Sequence, residues 1–409
     1  MTLRIAVLNW SNRRIGGTGS YLGTLLPALR RCGHDAALWH ELDAPTDREP
    51  LPTEGGPVWS VQALGLARAI TSLEAWDPDV LYVQGFQDPL VEQKVLDVAP
   101  AVFFAHDFYG TCISGTKTFR YPTTRPCDRV LGWECLAQYY PRRCGGLSPL
   151  TMWKEFSRQS RRLEQLRRYR AVVTHSGRMR DEYVSHGFDP ARVMKVPYGP
   201  PHRDTRLGDT VLSIRGKPTD EPWRLLFVGR MYRIKGGREL IEALPRVVRR
   251  LQRSVHLTFA GDGAQRAEWE SLSAGVCERE PRIQIAFTGW LGERDVEGLF
   301  DKSDLLVVPS LWPEPYGLVG PEAACHGVPA AAYAVGGIPE WLKPGVNGHL
   351  ASGCPPTIDG LADAIVACLK DPHEYTALRE GARRMAEQTN FDMHLAALRT
   401  IFDEVCATV

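Results

Sequence analysis

The chain has almost no excess charge of either sign. Lys and Arg total 49 against 48 Asp and Glu, leaving +1 over 409 residues. A protein that coats nucleic acid needs a large basic surplus, so that class is excluded, and any charged partner must be held by a local patch. Long hydrophobic runs are missing as well. The apolar N-terminal run around Ile5–Leu8 is too short for a signal peptide and reads as a first buried strand. The longest uncharged stretch, 323–339, is cut by Gly, Pro and His and does not read as a membrane span. These absences point to a cytoplasmic chain with reduced thiols. Short-period repeats and Cys-x-x-Cys pairs are absent too, and Asp-x-Asp occurs once, at Asp77-Pro78-Asp79.

What is present is an alternation of apolar strand-length runs with amphipathic helical segments. Strands are expected at Ile5–Asn9, Ala37–His40, Val80–Gln84, Val102–His106, Ala171–His175 and Val193–Pro197. A second set follows at Arg224–Val228, His256–Ala260, Ile283–Thr288, Asp304–Val308 and Val328–Tyr333. Unbroken apolar strands separated by helices indicate parallel sheets covered on both faces. Eleven strands exceed one doubly wound sheet, and the aperiodic Pro- and Gly-rich stretch 199–222 reads as a linker between two α/β domains. The expected organisation is a first domain over 1–198 with an insertion at 108–148, a second over 223–390, and a final helical segment over 391–409 packing back on the first.

Two segments carry the chemistry. Phe227–Gly237 runs from a strand through a loop into a helix, beyond the carboxyl end of its strand, where open α/β sheets bind ligands. Gly229 permits close backbone approach, and Arg230 and Lys235 beside a helix start suit a diphosphate. A solvated basic loop is the plain alternative. The second segment, 308–324, repeats the pattern of strand, Pro/Gly loop and helix. Glu314 lies between Pro313 and Pro315 with Trp312 and Tyr316 nearby. Glu322, eight residues on, falls in the first turn of a helix beginning near Pro321, where an acid is also simply stabilising. Free amides at Gly317 and Leu318 suit phosphate oxygens, and the carboxylates suit sugar hydroxyls.

Glu314 and Glu322 match the E-x7-E motif of retaining GT-B glycosyltransferases, and the sequence around them resembles glycosyltransferase family 4 (glycosyl transferases group 1). Phe259-Ala260-Gly261-Asp262-Gly263, Gly289-Trp290-Leu291 and Val335-Gly336-Gly337-Ile338-Pro339-Glu340 resemble further family segments in the family's order. The resemblance is strongest over Leu225–Leu350. It implies a GT-B fold, two Rossmann-like doubly wound parallel-sheet domains facing a central cleft. It implies a retaining, hexosyltransferase-type transfer from a nucleoside-diphosphate sugar, with uridine the expected base, to an acceptor hydroxyl on a saccharide, a lipid-linked molecule or a small molecule. Glu314 would then meet the donor sugar and Glu322 the ribose. Arg230 and Lys235 would neutralise the leaving diphosphate with the Gly317 and Leu318 amides, and Gly229, Gly289, Trp290 and Tyr316 would line the donor. No cofactor is required for catalysis in this reading, and the Asp77–Asp79 motif precedes a strand, away from the cleft.

In the first domain, Gly16-Gly17-Thr18-Gly19-Ser20 joins the first strand to the first helix as a glycine-rich turn. The resemblance aims Gly16, Gly17 and Gly19 at the donor diphosphate, and a plain tight turn is the alternative. His106 ends an apolar strand and matches the family's active-site His, which contacts the donor sugar. Three other activities fit parts of the sequence. A nicotinamide dehydrogenase would use Gly17, Gly19, Gly23 and Glu41. A sugar-nucleotide epimerase shares the architecture without needing both glutamates, and a non-catalytic sensor would bind donor alone.

Four of ten cysteines, Cys112, Cys127, Cys135 and Cys144, crowd the insertion. Their expected role is a structural zinc site of four thiolates, with an iron–sulfur cluster or unrelated buried thiols as alternatives. Finally, 151–170 is an amphipathic basic segment with seven basic residues from Lys154 to Arg170. It reads as a solvated face or as a peripheral contact with an anionic membrane at the inner face.

Overall fold

A computed structural model describes residues 2–43, 48–200 and 221–407. It divides into two compact units, Met1–Lys117 with Asp128–Pro197 and Asp392–Val409, and Thr118–Cys127 with Tyr198–Phe391. Most of the expected linker, 201–220, lies outside the described residues. Residues 392–409 fall with the first unit, and part of the insertion, Thr118–Cys127, falls with the second.

The first unit is built on a seven-stranded sheet of β1 (Arg4–Ser11), β2 (Asp35–Leu42), β3 (Val58–Ser60), β4 (Val80–Val83) and β5 (Ala101–Ala105), completed by two later strands. A two-stranded hairpin, β6 (Thr118–Phe119) and β7 (Arg125–Pro126), interrupts the order before β8 (Ala171–Thr174) and β9 (Val193–Lys195). The sheet order is β3-β2-β1-β4-β5-β8-β9, with every pairing parallel. Residues Ile5–Leu8 of β1 are fully buried because the strand lies mid-sheet under helices on both faces.

The second unit holds β10 (Trp223–Val228), β11 (Val255–Ala260), β12 (Ile283–Gly289), β13 (Leu305–Val308), β14 (Ala330–Ala334) and β15 (Gly348–Ser352). They pair in parallel in the order β12-β11-β10-β13-β14-β15. In each sheet the order of strand addition reverses once, between β1 and β4 and between β10 and β13. Crevices for ligands open at the carboxyl ends of strands at such switch points. The loops that follow β10 and β13 are those of Arg230, Lys235 and Glu314; Gln84 follows β4, and His106 follows its neighbour β5.

The glycine-rich segment after β1 is not a turn. Gly16 opens the helix Gly16–Arg31, so Gly17 and Gly19 lie in its first turns. The reason is packing. A Cβ on Gly19 would lie 2.6 Å from the Arg14 carbonyl carbon, and one on Gly23 would lie 2.5 Å from the Arg14 guanidinium carbon. The helix needs small residues where Arg14 crosses it, and that close approach outweighs the poor helix propensity of glycine.

Candidate active site

The donor half of the expected site assembles within the second unit. The first helix of this unit, Gly237–Leu251, can start where it does because Gly236 takes φ of +73° with the Pro309 carbonyl pressed against its α-carbon. A Cβ there would lie 1.7 Å from the Pro309 oxygen, so the loops after β10 and β13 touch only with glycine at 236. That contact brings Lys235 to Glu314, with Nζ 2.6 Å from Oε1. Ser310 Oγ donates to the same carboxylate oxygen at 2.5 Å. The Lys235 ammonium also lies 5.0 Å from the centre of the Trp312 ring.

Glu314 is held by its own backbone as well. Its carbonyl accepts from the Gly337 amide at 2.7 Å, and Gly336, at φ +58°, passes so close that a Cβ would sit 2.1 Å from that oxygen. The two glycines at 336–337 thus fix the Glu314 backbone. Trp341 completes the support: its Nε1 donates to the Tyr316 carbonyl at 2.7 Å, and its ring fills the space over Gly320. Sequence reasoning missed Ser310 and Trp341; the signal for Trp341 was its place directly after the 335–340 segment.

The other residues expected at the donor are placed as follows. Among the described residues, the Gly317 and Leu318 amides have no hydrogen-bond partner. The Arg230 guanidinium is exposed, stacks 5.3 Å from the Tyr232 ring and has no carboxylate partner among the described residues, whereas its neighbour Arg233 is tied to Glu239. Open amides and an unneutralised guanidinium are the kinds of group that bind anions. Gly289 ends β12 with φ +74°, and Trp290 after it is 43% exposed. Glu322, in the helix Val319–Cys325, is pushed up to about 7 by burial and by Glu293 and Glu297 facing it from the helix Glu293–Asp301.

In the first unit, His106 follows β5 and its Nε2 lies 2.8 Å from Gln84 Oε1. Burial, with His394 nearby, pushes its pKa down to about 3, so the ring is neutral at physiological pH. Gly19 and Gly23 of the dinucleotide pattern are spent on Arg14. Its acid, Glu41, accepts from the amides of Gln87 at 2.5 Å and Asp88 at 3.0 Å, which occupies the carboxylate a dehydrogenase would offer to a ribose. Asp77 and Asp79 both hold Arg4 at the start of β1, the edge opposite the ligand crevice.

The four-thiolate zinc site is not assembled. Among the described residues no three His, Cys, Asp or Glu groups are placed to hold a metal ion. Cys112 Sγ instead accepts from the Lys117 amide at 3.3 Å, and Cys135 Sγ donates to the Val130 carbonyl at 3.8 Å. The insertion is anchored differently, by the buried ion pair of Lys117 with Glu182.

Residues 15–200 match glycosyltransferase family 4 and residues 213–385 match the glycosyl transferases group 1 family. The chain is 28% identical to a glycogen synthase of Mycobacterium tuberculosis, over 97% of this chain and 93% of that one. It is 30% identical to a D-inositol 3-phosphate glycosyltransferase of Mycobacterium bovis, over 58% of this chain and 49% of the relative. Among solved structures, Anabaena HepE in complex with UDP-glucose superposes with a TM-score of 0.65 at 20% identity, covering 100% of both chains. With both units matched in order and each sheet of the expected kind, the chain belongs to the GT-B glycosyltransferases of family 4 and group 1.

Proposed function

We propose that this glycosyltransferase moves a sugar from a UDP-sugar to an acceptor hydroxyl with retention at the anomeric carbon. The observation that carries the reading is the Lys235–Glu314 pair at the β10/β13 switch; Arg230 and the open Gly317 and Leu318 amides belong to the same two loops. The UDP-glucose bound in the Anabaena neighbour supports the choice of uridine. In this mechanism the bond from the anomeric carbon to the β-phosphate oxygen breaks while the acceptor oxygen attacks on the same face. The acceptor proton passes to the leaving phosphate. Arg230 and Lys235 meet the charge that grows on the diphosphate, so the chain's own cations perform the neutralisation and no metal is required. Glu314 accepts from donor-sugar hydroxyls, Glu322 from the ribose, and His106 contacts the sugar as the transfer occurs.

A thermal-shift panel of UDP-, GDP-, ADP- and dTDP-sugars with NAD(H) and NADP(H) tests this. A donor at one hundred times its dissociation constant adds about 2.7 kcal/mol, seen as a rise of several degrees. Stabilisation by a UDP-sugar alone, lost in Glu322→Ala, is the expected result. Stabilisation by a nicotinamide cofactor and by no sugar nucleotide overturns the assignment.

The raised pKa of Glu322 makes donor binding pH-dependent. Only the carboxylate accepts two ribose hydroxyls, so donor affinity is expected to rise as pH increases through about 7. Stability moves the other way. The folded chain keeps a proton on Glu322 that the unfolded chain releases above its ordinary carboxylate range, so stability falls as pH rises from there to about 7. Glu322→Gln should therefore melt higher than the parent at alkaline pH, by about 1–2 kcal/mol after allowing for partial exposure. It should also bind UDP-sugar more weakly. An unchanged melting temperature across the pH range counts against the buried-carboxylate reading.

The acceptor approach has a candidate surface in the first unit. The helix Pro149–Leu166 exposes Leu150 (83%) and Trp153 (61%), while Lys154 and Arg161 lack acidic partners among the described residues. A groove of about 810 Å³ runs beside Leu90, Trp153, Lys154, Arg158, Arg161 and Arg168. Apolar tips followed by cations suit peripheral binding to an anionic bilayer. Co-sedimentation with phosphatidylglycerol vesicles at low salt, lost in the Lys154→Glu/Arg161→Glu variant, is expected. A chain that stays in the supernatant at low salt rules this contact out.

A further inference from the structure

The hydrogen bonds at the carboxyl edge of the first sheet determine more than the position of His106. Gln84, directly after β4, donates from Nε2 to the Tyr82 carbonyl at 3.4 Å, which turns its Oε1 toward His106 Nε2 at 2.8 Å. An amide oxygen only accepts, so His106 Nε2 carries the proton and Nδ1 keeps its lone pair. No other group among the described residues bonds the His106 ring. His394 shows the opposite arrangement. Its Nδ1 faces the Pro197 carbonyl at 3.0 Å, and its Nε2 accepts from the Tyr21 hydroxyl at 2.9 Å. In both cases a fixed acceptor sets the tautomer.

We propose that Gln84 is a positioning residue. It holds His106 in the tautomer whose Nδ1 is a bare acceptor, so the ring receives a hydrogen bond from a donor-sugar hydroxyl instead of giving one. This rests on the reading of His106 as a donor-sugar contact. The groups facing the ring are Tyr21 from the helix Gly16–Arg31, Phe104 from β5, and His175 after β8, with ring centres 5.5, 4.5 and 6.0 Å away. His394 from the last helix lies close behind, and Asp107 adjoins in the chain. Asp107 is the one carboxylate in this set; it accepts from the Tyr109 amide at 2.9 Å.

The test uses the full chain carrying ring-15N histidine, with the His106→Ala spectrum identifying the signal. The expected parent signal is a neutral ring protonated at Nε2 that does not titrate between about pH 5 and 8. In Gln84→Glu the new carboxylate stabilises the imidazolium, so the ring gains a second proton and titrates within that range. In Gln84→Leu the tautomers exchange. Turnover is read as UDP release from UDP-glucose, or from whichever sugar nucleotide stabilises the chain. In Gln84→Glu, kcat should fall by about tenfold at low pH and recover as pH rises, with KM changing less. A parent ring protonated at Nδ1, or an unaltered tautomer in Gln84→Leu, overturns the proposal. So does a flat pH profile in Gln84→Glu while His106→Ala is inactive. Normal turnover by His106→Ala would instead sink the functional reading of His106, and the tautomer result would stand apart from it.

Discussion

Lys235→Ala is expected to lower kcat by about 10²–10³-fold, the scale seen when one preorganised charge partner of a transition state is lost. The geometry gives the reason. Lys235 is aimed by Glu314, by Ser310 through the same carboxylate oxygen, and by the Trp312 ring, so its head is fixed before the donor arrives. Charge on the diphosphate grows as the glycosidic bond breaks, so a fixed cation binds the transition state more strongly than the ground state. The loss should therefore appear in kcat more than in KM. Arg230 differs in kind. It is exposed and unneutralised, so Arg230→Ala should weaken donor binding while moving the melting temperature little. Lys235→Ala leaves Glu314 without its cation, at a stability cost of about 1–3 kcal/mol. Kinetics are thus to be compared well below each melting transition. A variant with normal kcat and only a raised KM would assign Lys235 to uniform binding and remove it from the catalytic step.

How far the sequence carried depends on whether a residue's role is local. The strands Val80–Val83, Ala101–Ala105 and Leu305–Val308 were legible because interior strands are buried on both faces and read as unbroken apolar runs. Of the edge strands, Val193–Lys195 and Ile283–Gly289 were legible too, but two others were not. Val58–Ser60 has an exposed valine, and Gly348–Ser352 mixes Gly, His and Ser, so both passed unseen. The motifs around Arg230, Lys235, Glu314 and Gly336 were legible because each follows its own strand, and the fold delivers strand ends to one edge. Gly16–Gly19 was misjudged as a turn because the crossing Arg14, which demands the glycines, is a tertiary contact. Gln84, Ser310 and Trp341 went unnoticed for the same cause: a side chain whose importance lies in the partner it meets has no local pattern. The insertion has an anchor that its cysteines do not indicate. Clustering in sequence suggested convergence in space, yet the residue that anchors the segment is Lys117, whose partner lies 65 residues away.

That anchor makes the largest stability prediction. Lys117 is fully buried and donates to the Glu182 carboxylate, to the Arg129 carbonyl and, at 3.5 Å, to the Thr111 carbonyl. Beside it, His186 Nδ1 donates to the Glu182 carbonyl at 2.6 Å, and its Nε2 accepts from the Leu131 amide at 2.9 Å. Two loops of the insertion are thereby tied to the helix Gly177–Ser185. Removing one member of a buried pair strands the other's charge, and Lys117→Met should cost about 3–5 kcal/mol. Arg178, 3.5 Å from Glu182 and partly exposed, offsets some of this and places the effect toward the lower end. At roughly 2–4 °C per kcal/mol for a unit of this size, the melting temperature should fall by about 10 °C. Replacing both members, Lys117→Met with Glu182→Leu, should restore most of the loss, because an apolar pair leaves no charge behind. Treatment with a strong chelator should leave the parent unchanged. A chelator that destabilises the chain as much as Lys117→Met would mean that a metal holds the insertion. A double variant no better than the single one would mean that the hydrogen bonds to the Arg129 and Thr111 carbonyls, and not the ion pair, do the anchoring.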